Sequence, residues 1–87
     1  MEKCIVVYML LCADGTLYTG WTDHLEKRLK THNAGRGAKY TRSRLPVRLV
    51  YREEMPDKSS ALRREAQIKH MTRKQKLELL QMHPLLE

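Results

Sequence analysis

Apolar positions along the 87-residue chain change period near residue 23. Cys4–Leu11 (CIVVYMLL) is an uncharged run rich in Ile, Val and Tyr, and it predicts a short, largely buried strand. Ala13-Asp14-Gly15-Thr16 has turn chemistry, with Asp-Gly the strongest hairpin signal. Leu17–Thr22 then predicts a second strand antiparallel to the first. Tyr8 and Tyr18 fall on adjacent strands, and their register decides whether they share a face. Gly20 weakens a strand unless backbone or ligand must come close there.

From residue 23 the period lengthens. Asp23 predicts an N-cap, with Glu26 three residues on completing a capping-box pattern. The helix predicted for about His24–Asn33 puts Leu25, Arg28, Leu29 and His32 on one face, so two polar residues share the core-facing stripe. Gly35 predicts its end. Ala34–Leu45 reads as a basic, glycine-bearing loop closed by Pro46. Val47–Glu53 predicts a third strand in which Val47, Leu49 and Tyr51 alternate with Arg48 and Arg52, an alternation that Val50 blurs. Asp57, Ser59 or Ser60 can cap a helix over about Ala61–Met71. Its apolar arc of Ala61, Leu62, Ala66 and Ile68 has Glu65 near its middle, a costly place for an acid without compensation. Arg63, Arg64 and His70 fall elsewhere on the wheel. Thr72 and Gln75 predict a further capping box and a helix over about Arg73–Met82, with Leu77 and Leu80 as its apolar side and Leu79 nearby. His83-Pro84 ends it, and Leu85 and Leu86 lie beyond.

Composition narrows the class. The length suits one domain spanning 1–87 with a single modest core. No run approaches the roughly 20 apolar residues of a membrane span, and Cys4–Leu11 lacks a signal-peptide cleavage pattern, so the expected compartment is cytoplasmic, with no membrane partner. Cys4 and Cys12 read as buried free thiols. Charge changes the picture most. The net charge is +7, and Lys27–Arg52 carries nine Lys/Arg and no acid. That one-signed block is the footprint of a nucleic-acid partner, whose phosphates would meet Gly20, Lys27, Lys30, Arg36, Lys39, Tyr40, Arg42 and Arg44. A solvated basic face is the plainer alternative.

Phosphodiester hydrolysis needs a proton taken from water, neutralisation of the phosphoryl charge and stabilisation of the leaving oxygen. Tyr8, Tyr18, Arg28, His32 and Glu65 are side chains able to do this. A tyrosine whose pKa nearby cations lower can take the proton, an arginine can fork onto phosphate oxygens, and a lone carboxylate can share a hydrated Mg²⁺ with phosphate. Each also has an ordinary use. Strand tyrosines pack, Arg28 can be solvated, His32 can favour a helix C-terminus, and Glu65 can pair with an arginine.

The order of these residues resembles the GIY-YIG nuclease domain family. Val6-Val7-Tyr8 stands at its first signature and Tyr18-Thr19-Gly20 at its second. Arg28 with His32 stands on the following helix and Glu65 on a later one. Gly35-Arg36-Gly37-Ala38-Lys39-Tyr40-Thr41 and Ala61-Leu62-Arg63-Arg64-Glu65 are similar to the small stand-alone bacterial members grouped as UPF0213. The resemblance implies an α+β fold, a three-stranded antiparallel sheet flanked by about three helices. It implies a metal-dependent endonuclease hydrolysing phosphodiester bonds in DNA, structured or damaged DNA among the candidates. Tyr8 or Tyr18 would activate water, Arg28 would stabilise charge, His32 would position or relay a proton, and Glu65 would hold one Mg²⁺ or Mn²⁺. The chain departs from the family pattern at Val6, at Trp21 where many members have lysine, and in having no Asn after Glu65. Those departures leave a catalytically weak nucleic-acid-binding module as the alternative. A third reading recruits a protein partner through Leu77 and Leu80, and a partner that targets the activity is compatible with all three.

Overall fold

The computed structural model describes residues 4–83. It contains β1 (Ile5–Leu11), β2 (Leu17–Thr22), α1 (Leu25–Asn33), α2 (Lys39–Arg42), β3 (Arg48–Met55), α3 (Lys58–Lys69) and α4 (Arg73–Met82). The strands form one antiparallel sheet of order β2-β1-β3. This is the expected α+β architecture, with one more helix than expected. The extra helix is the single turn α2, inside a segment whose sequence reads only as basic loop.

The central strand explains its own composition. β1 is paired on both edges and covered on both faces, so its side chains have no solvent side to make polar. Val6, Val7, Met9 and Leu10 are 0% exposed and Tyr8 is 1% exposed. Alternation along the strand sends these residues to two different layers. Val7 and Met9 pack with Tyr51, with Ala61 and Ile68 of α3 and with Leu79 of α4. Tyr8 and Leu10 pack with Cys12 and Val47, against Leu25 and Leu29 of α1. The sheet therefore lies between α3/α4 on one side and α1 on the other.

The pairing also explains why Val50 blurs the pattern of β3. Met9 pairs with Tyr51 but Leu10 pairs with Leu49, which leaves Val50 as an extra residue in a bulge. Val50 packs beside Tyr51 on the α3 side, while Leu49 faces the α1 side.

Several boundaries and roles differ from the sequence expectations. The N-cap of α1 is His24 rather than Asp23, with no side-chain cap hydrogen bond. Just before it, the Thr22 hydroxyl accepts from the His24 N–H at 3.1 Å and shapes the entry instead. Asp57 does cap α3, accepting from the Ser60 N–H at 2.8 Å. The Thr72–Gln75 capping box forms in both directions. Leu62 and Ala66 of the expected apolar arc are exposed. Arg64, placed away from that arc on the wheel, instead flanks the sheet-facing stripe and donates to Glu53 of β3 at 2.9 Å. In α4 the buried leucine is Leu79, and Leu77 is exposed. Cys12 is buried, but Cys4 is exposed and donates to Glu54, which corrects the expectation of two buried thiols. Pro84, Leu85 and Leu86 lie outside the described residues. No helix among the described residues is long and apolar enough to cross a membrane.

One link ties the end of α1 to the start of β3. The Asn33 amide donates to the Val47 carbonyl at 3.0 Å and accepts from the Val47 N–H at 2.8 Å. A single side chain thus satisfies both backbone groups of Val47, which neither helix nor sheet provides for. Asn33→Ala is expected to lower stability by about 1–3 kcal/mol, measured as a drop in the urea unfolding midpoint. An unchanged midpoint would show that solvent replaces both bonds without loss.

Candidate active site

Register settles the question of the tyrosines. Tyr8 pairs with Gly20 and Leu10 pairs with Tyr18, so both phenols point to the α1 side. Their ring centroids are 6.4 Å apart. Gly20 is needed for that arrangement. A Cβ there would meet the Tyr8 hydroxyl oxygen at 2.8 Å and its Cζ at 2.9 Å. The phenol of Tyr8 lies over the glycine, and the space expected to admit a ligand's backbone is filled by this side chain.

α1 brings His32 onto the same spot. His32 is fully buried. Its Nε2 shares a 3.0 Å hydrogen bond with the Tyr8 hydroxyl. Its Nδ1 shares another, also 3.0 Å, with Thr41 Oγ1 from α2. The loop between α1 and α2 is built around this ring. Gly35 turns the chain out of α1 at φ +77°, a left-handed conformation that favours glycine. Gly37 then passes so close that a Cβ would overlap His32 Nδ1. Sequence reading missed Thr41 and the purpose of Gly37. The signal was the Gly35–Thr41 run, read there as part of a basic loop and as a point of resemblance, with no role given to Thr41.

Arg28 and His32 are one helical turn apart, and Arg28 is half-buried beside the phenols. Tyr8 is the main group holding the Arg28 guanidinium pKa above its ordinary value, with Tyr18 adding to it. The phenol of Tyr8 is itself shifted upward, first by burial, with Arg28 opposing and Tyr18 and Glu65 adding small upward pushes. The expected cation is therefore present, but desolvation outweighs it, and Tyr8 is held protonated. Burial and then the Arg28 charge push the His32 pKa down, so its imidazole is neutral at neutral pH.

Tyr18 meets the edge of His32 with centroids 5.3 Å apart and stacks on Tyr40 at 6.0 Å. The Arg44 guanidinium lies 4.0 Å from the Tyr40 ring centroid. Arg44 also donates to Asp14 at 2.9 Å and to the Tyr40 carbonyl at 2.7 Å. Arg44 thus pins α2 to the β1–β2 turn rather than standing clear for phosphate. Lys27, Lys30, Arg36, Lys39 and Arg42 are exposed. An open cleft of about 310 Å³ adjoins Arg28, lined by Thr22, Asp23, His24, Lys27 and Thr31 as well.

Glu65 comes from the opposite layer. It lies on the sheet-facing stripe of α3 between Ala61 and Ile68, its side chain 19% exposed, with Lys69 Nζ 3.7 Å away. Its charge is the last of the causes that raise the Tyr8 pKa. A single half-buried carboxylate suits a hard ion that keeps most of its waters and takes phosphate oxygens, as Mg²⁺ does. Trp21 packs on the α3/α4 side of the sheet, away from the tyrosines.

A three-stranded α+β scaffold that gathers two tyrosines, an arginine and a buried histidine on one sheet face, with a glutamate from the far layer, defines a catalytic-domain class. The family model of the GIY-YIG catalytic domain matches residues 4–78, and the chain belongs to that family. Among its relatives is a UPF0213 protein of Syntrophus aciditrophicus, 57% identical over 79 residues, covering 90% of this chain and 91% of the relative. A UPF0213 protein of Lactiplantibacillus plantarum is 59% identical over 78 residues, covering 87% and 77%. The solution NMR structure of a UPF0213 protein from Bacillus halodurans superposes with a TM-score of 0.61 at 44% identity, covering 91% of this chain and 84% of that one. A protein of E. faecalis, also solved by NMR, gives 0.62 at 40% identity, covering 100% and 98%.

The buried imidazole makes stability pH-dependent. Because folding lowers the His32 pKa, the unfolded chain binds the proton more readily below the ordinary value of 6.5. The stabilisation is fully present above pH 6.5 and is lost as pH falls towards the depressed folded value. The lowered Glu53 carboxyl adds a loss of the same sign only below its ordinary 4.5. Between pH 6.5 and 4.5 the melting temperature of the wild type is therefore expected to fall more steeply than that of His32→Gln. Parallel curves would mean that His32 titrates as freely folded as unfolded.

Proposed function

We propose that the protein is a metal-dependent endonuclease that hydrolyses phosphodiester bonds in DNA, with structured or damaged DNA as its substrates. The observation that carries this reading is the buried Tyr8–His32 hydrogen bond beside Arg28. A phenol held protonated is a poor base by itself. It becomes a competent one when its own proton can leave as another arrives.

In this mechanism water gives a proton to the Tyr8 oxygen while the Tyr8 proton passes to His32 Nε2, leaving an imidazolium. The hydroxide oxygen forms its bond to phosphorus, the bond to the leaving oxygen breaks, and that oxygen takes a proton from solvent. Arg28 binds the phosphoryl oxygens and offsets their growing charge. Tyr18 braces His32 and Arg28 rather than serving as the base. Glu65 holds Mg²⁺ or Mn²⁺, which when bound supplies charge neutralisation at the leaving oxygen. Lys27, Lys30, Arg36, Lys39 and Arg42 attract and position the backbone, while Arg44 and Tyr40 hold the loop that carries Thr41. A single domain spanning 1–87 carries the activity in the cytoplasm, with a protein partner to direct it to its target. One observation favours a binding module with weak catalysis instead. Trp21 faces the core of the far layer, so the position after Tyr-x-Gly offers the site no cation.

The test is incubation of purified protein with branched, flapped and single-stranded DNA in Mg²⁺ or Mn²⁺, beside Glu65→Ala and Tyr8→Phe. Metal-dependent cleavage is expected, reduced roughly 10²-fold or more in either variant. Binding with no cleavage of any substrate would sink the enzyme and leave the binding module. Six cations on phosphate, Arg28 and the five exposed ones, predict that log affinity falls with log salt at a slope of about −5.

A further inference from the structure

His32 can donate from one ring nitrogen and accept at the other in either of two ways, and only one of them lets it receive the Tyr8 proton. The loop beside it decides which. Thr41 Oγ1 lies 2.9 Å from the Ala38 carbonyl oxygen. A carbonyl can only accept, and the hydroxyl has one proton, so that proton goes to Ala38. The Thr41 oxygen then offers His32 Nδ1, at 3.0 Å, nothing but a lone pair. Nδ1 must therefore carry the hydrogen. A neutral imidazole has only one N–H, so Nε2 is bare and faces the Tyr8 hydroxyl at 3.0 Å.

We propose that Thr41 is a positioning residue that holds His32 as its Nδ1–H tautomer and so keeps the Nε2 lone pair aimed at Tyr8. This assignment rests on the nuclease reading for its purpose, though not for its geometry. All the hydrogen bonds run one way, from Tyr8 to His32 to Thr41 to the Ala38 carbonyl, and every proton is used once. The opposite tautomer sets two lone pairs against each other at Nδ1, or makes Thr41 abandon Ala38. No water stands ready to repair that, because His32 and Thr41 are both 0% exposed. The surrounding loop builds the arrangement. Gly37 leaves room for the ring, and the Thr41 N–H also donates to the Ala38 carbonyl at 3.0 Å, so the first turn of α2 fixes the hydroxyl. The depressed His32 pKa supports the same picture, since a neutral ring has a tautomer to choose.

The test reads the ring directly, by nitrogen-15 NMR of labelled imidazole in the full chain at neutral pH. In the wild type, His32 is expected to show a protonated Nδ1 and a bare Nε2. Thr41→Val keeps the shape but loses the hydroxyl, and is expected to shift His32 toward the Nε2–H form. DNA cleavage by that variant is expected to fall roughly tenfold to a hundredfold, in kcat more than in KM. Thr41→Ser restores both the ring pattern and the rate. A wild-type ring that is Nε2–H or doubly protonated overturns the assignment, and so does a valine variant with an unchanged ring. Should the valine variant fail to fold, the wild-type and serine spectra decide alone. A wild type with the expected ring but no cleavage of any DNA defeats the nuclease reading and leaves the Thr41 assignment standing.

Discussion

The Tyr8–His32 hydrogen bond is the contact around which this small fold is arranged. It joins the central strand to α1, and both side chains are buried. A buried polar pair costs free energy unless each group is satisfied, so its surroundings are tightly constrained. Gly20 must be a glycine to let the phenol lie across β2. Gly37 must be one to let the loop close over the ring. Thr41 must present an oxygen to the remaining nitrogen, which requires a helical turn in a loop otherwise made of basic residues. A glycine on β2, a glycine in the α1–α2 loop and Thr41 of α2 therefore answer to one contact.

The sheet divides its labour between its faces. On the α3/α4 side, Val7, Met9, Tyr51 and Trp21 make ordinary core, with the Arg64–Glu53 pair at its margin. On the α1 side, apolar packing is interrupted by the polar cluster. A chain of this length has little core to spare, and Leu10, Cys12, Val47 and the α1 leucines pack around Tyr8 on this side. Glu65 is the exception to the division. It sits on the packing stripe of α3, where its side chain is 19% exposed and Lys69 Nζ lies 3.7 Å away.

Much of this was legible from residue order. β2 and α4 fall at their expected ends, and the oddities of Gly20, Arg28 and His32 mark positions that the fold brings beside Tyr8. What the sequence could not show were contacts made by a single hydroxyl or amide. Thr41 approaches His32 only because α2 forms, and four residues carry too little periodic signal to predict a helix. Asn33 is an unremarkable helix-end residue until its partner on β3 is known. The N-cap falls at His24, one residue beyond the expected Asp23, with the Thr22 hydroxyl accepting from the His24 N–H. The orientation of Arg44 depended on Asp14, thirty residues away on the hairpin turn.

The electrostatics of the site run counter to the simplest expectation of a tyrosine base, and the reason is instructive. Arg28 does pull the Tyr8 pKa down, but burial pulls it up by more. Lowering the phenol enough to ionise it would need either more charge or more water. More water would weaken Arg28 itself, because the same exclusion of solvent strengthens its hold on an anion. The proposed transfer of the proton to a neighbour would avoid that conflict, since neither Tyr8 nor the site need carry a standing negative charge. His32 is suited to receive it because it is kept neutral, by burial first and by Arg28 second. The second cause is conditional. An anion bound against Arg28 cancels much of the field that Arg28 exerts on the imidazole, and so makes Nε2 more basic. In the proposed mechanism, a phosphate bound against Arg28 would therefore leave the imidazole a better proton acceptor than it is without one.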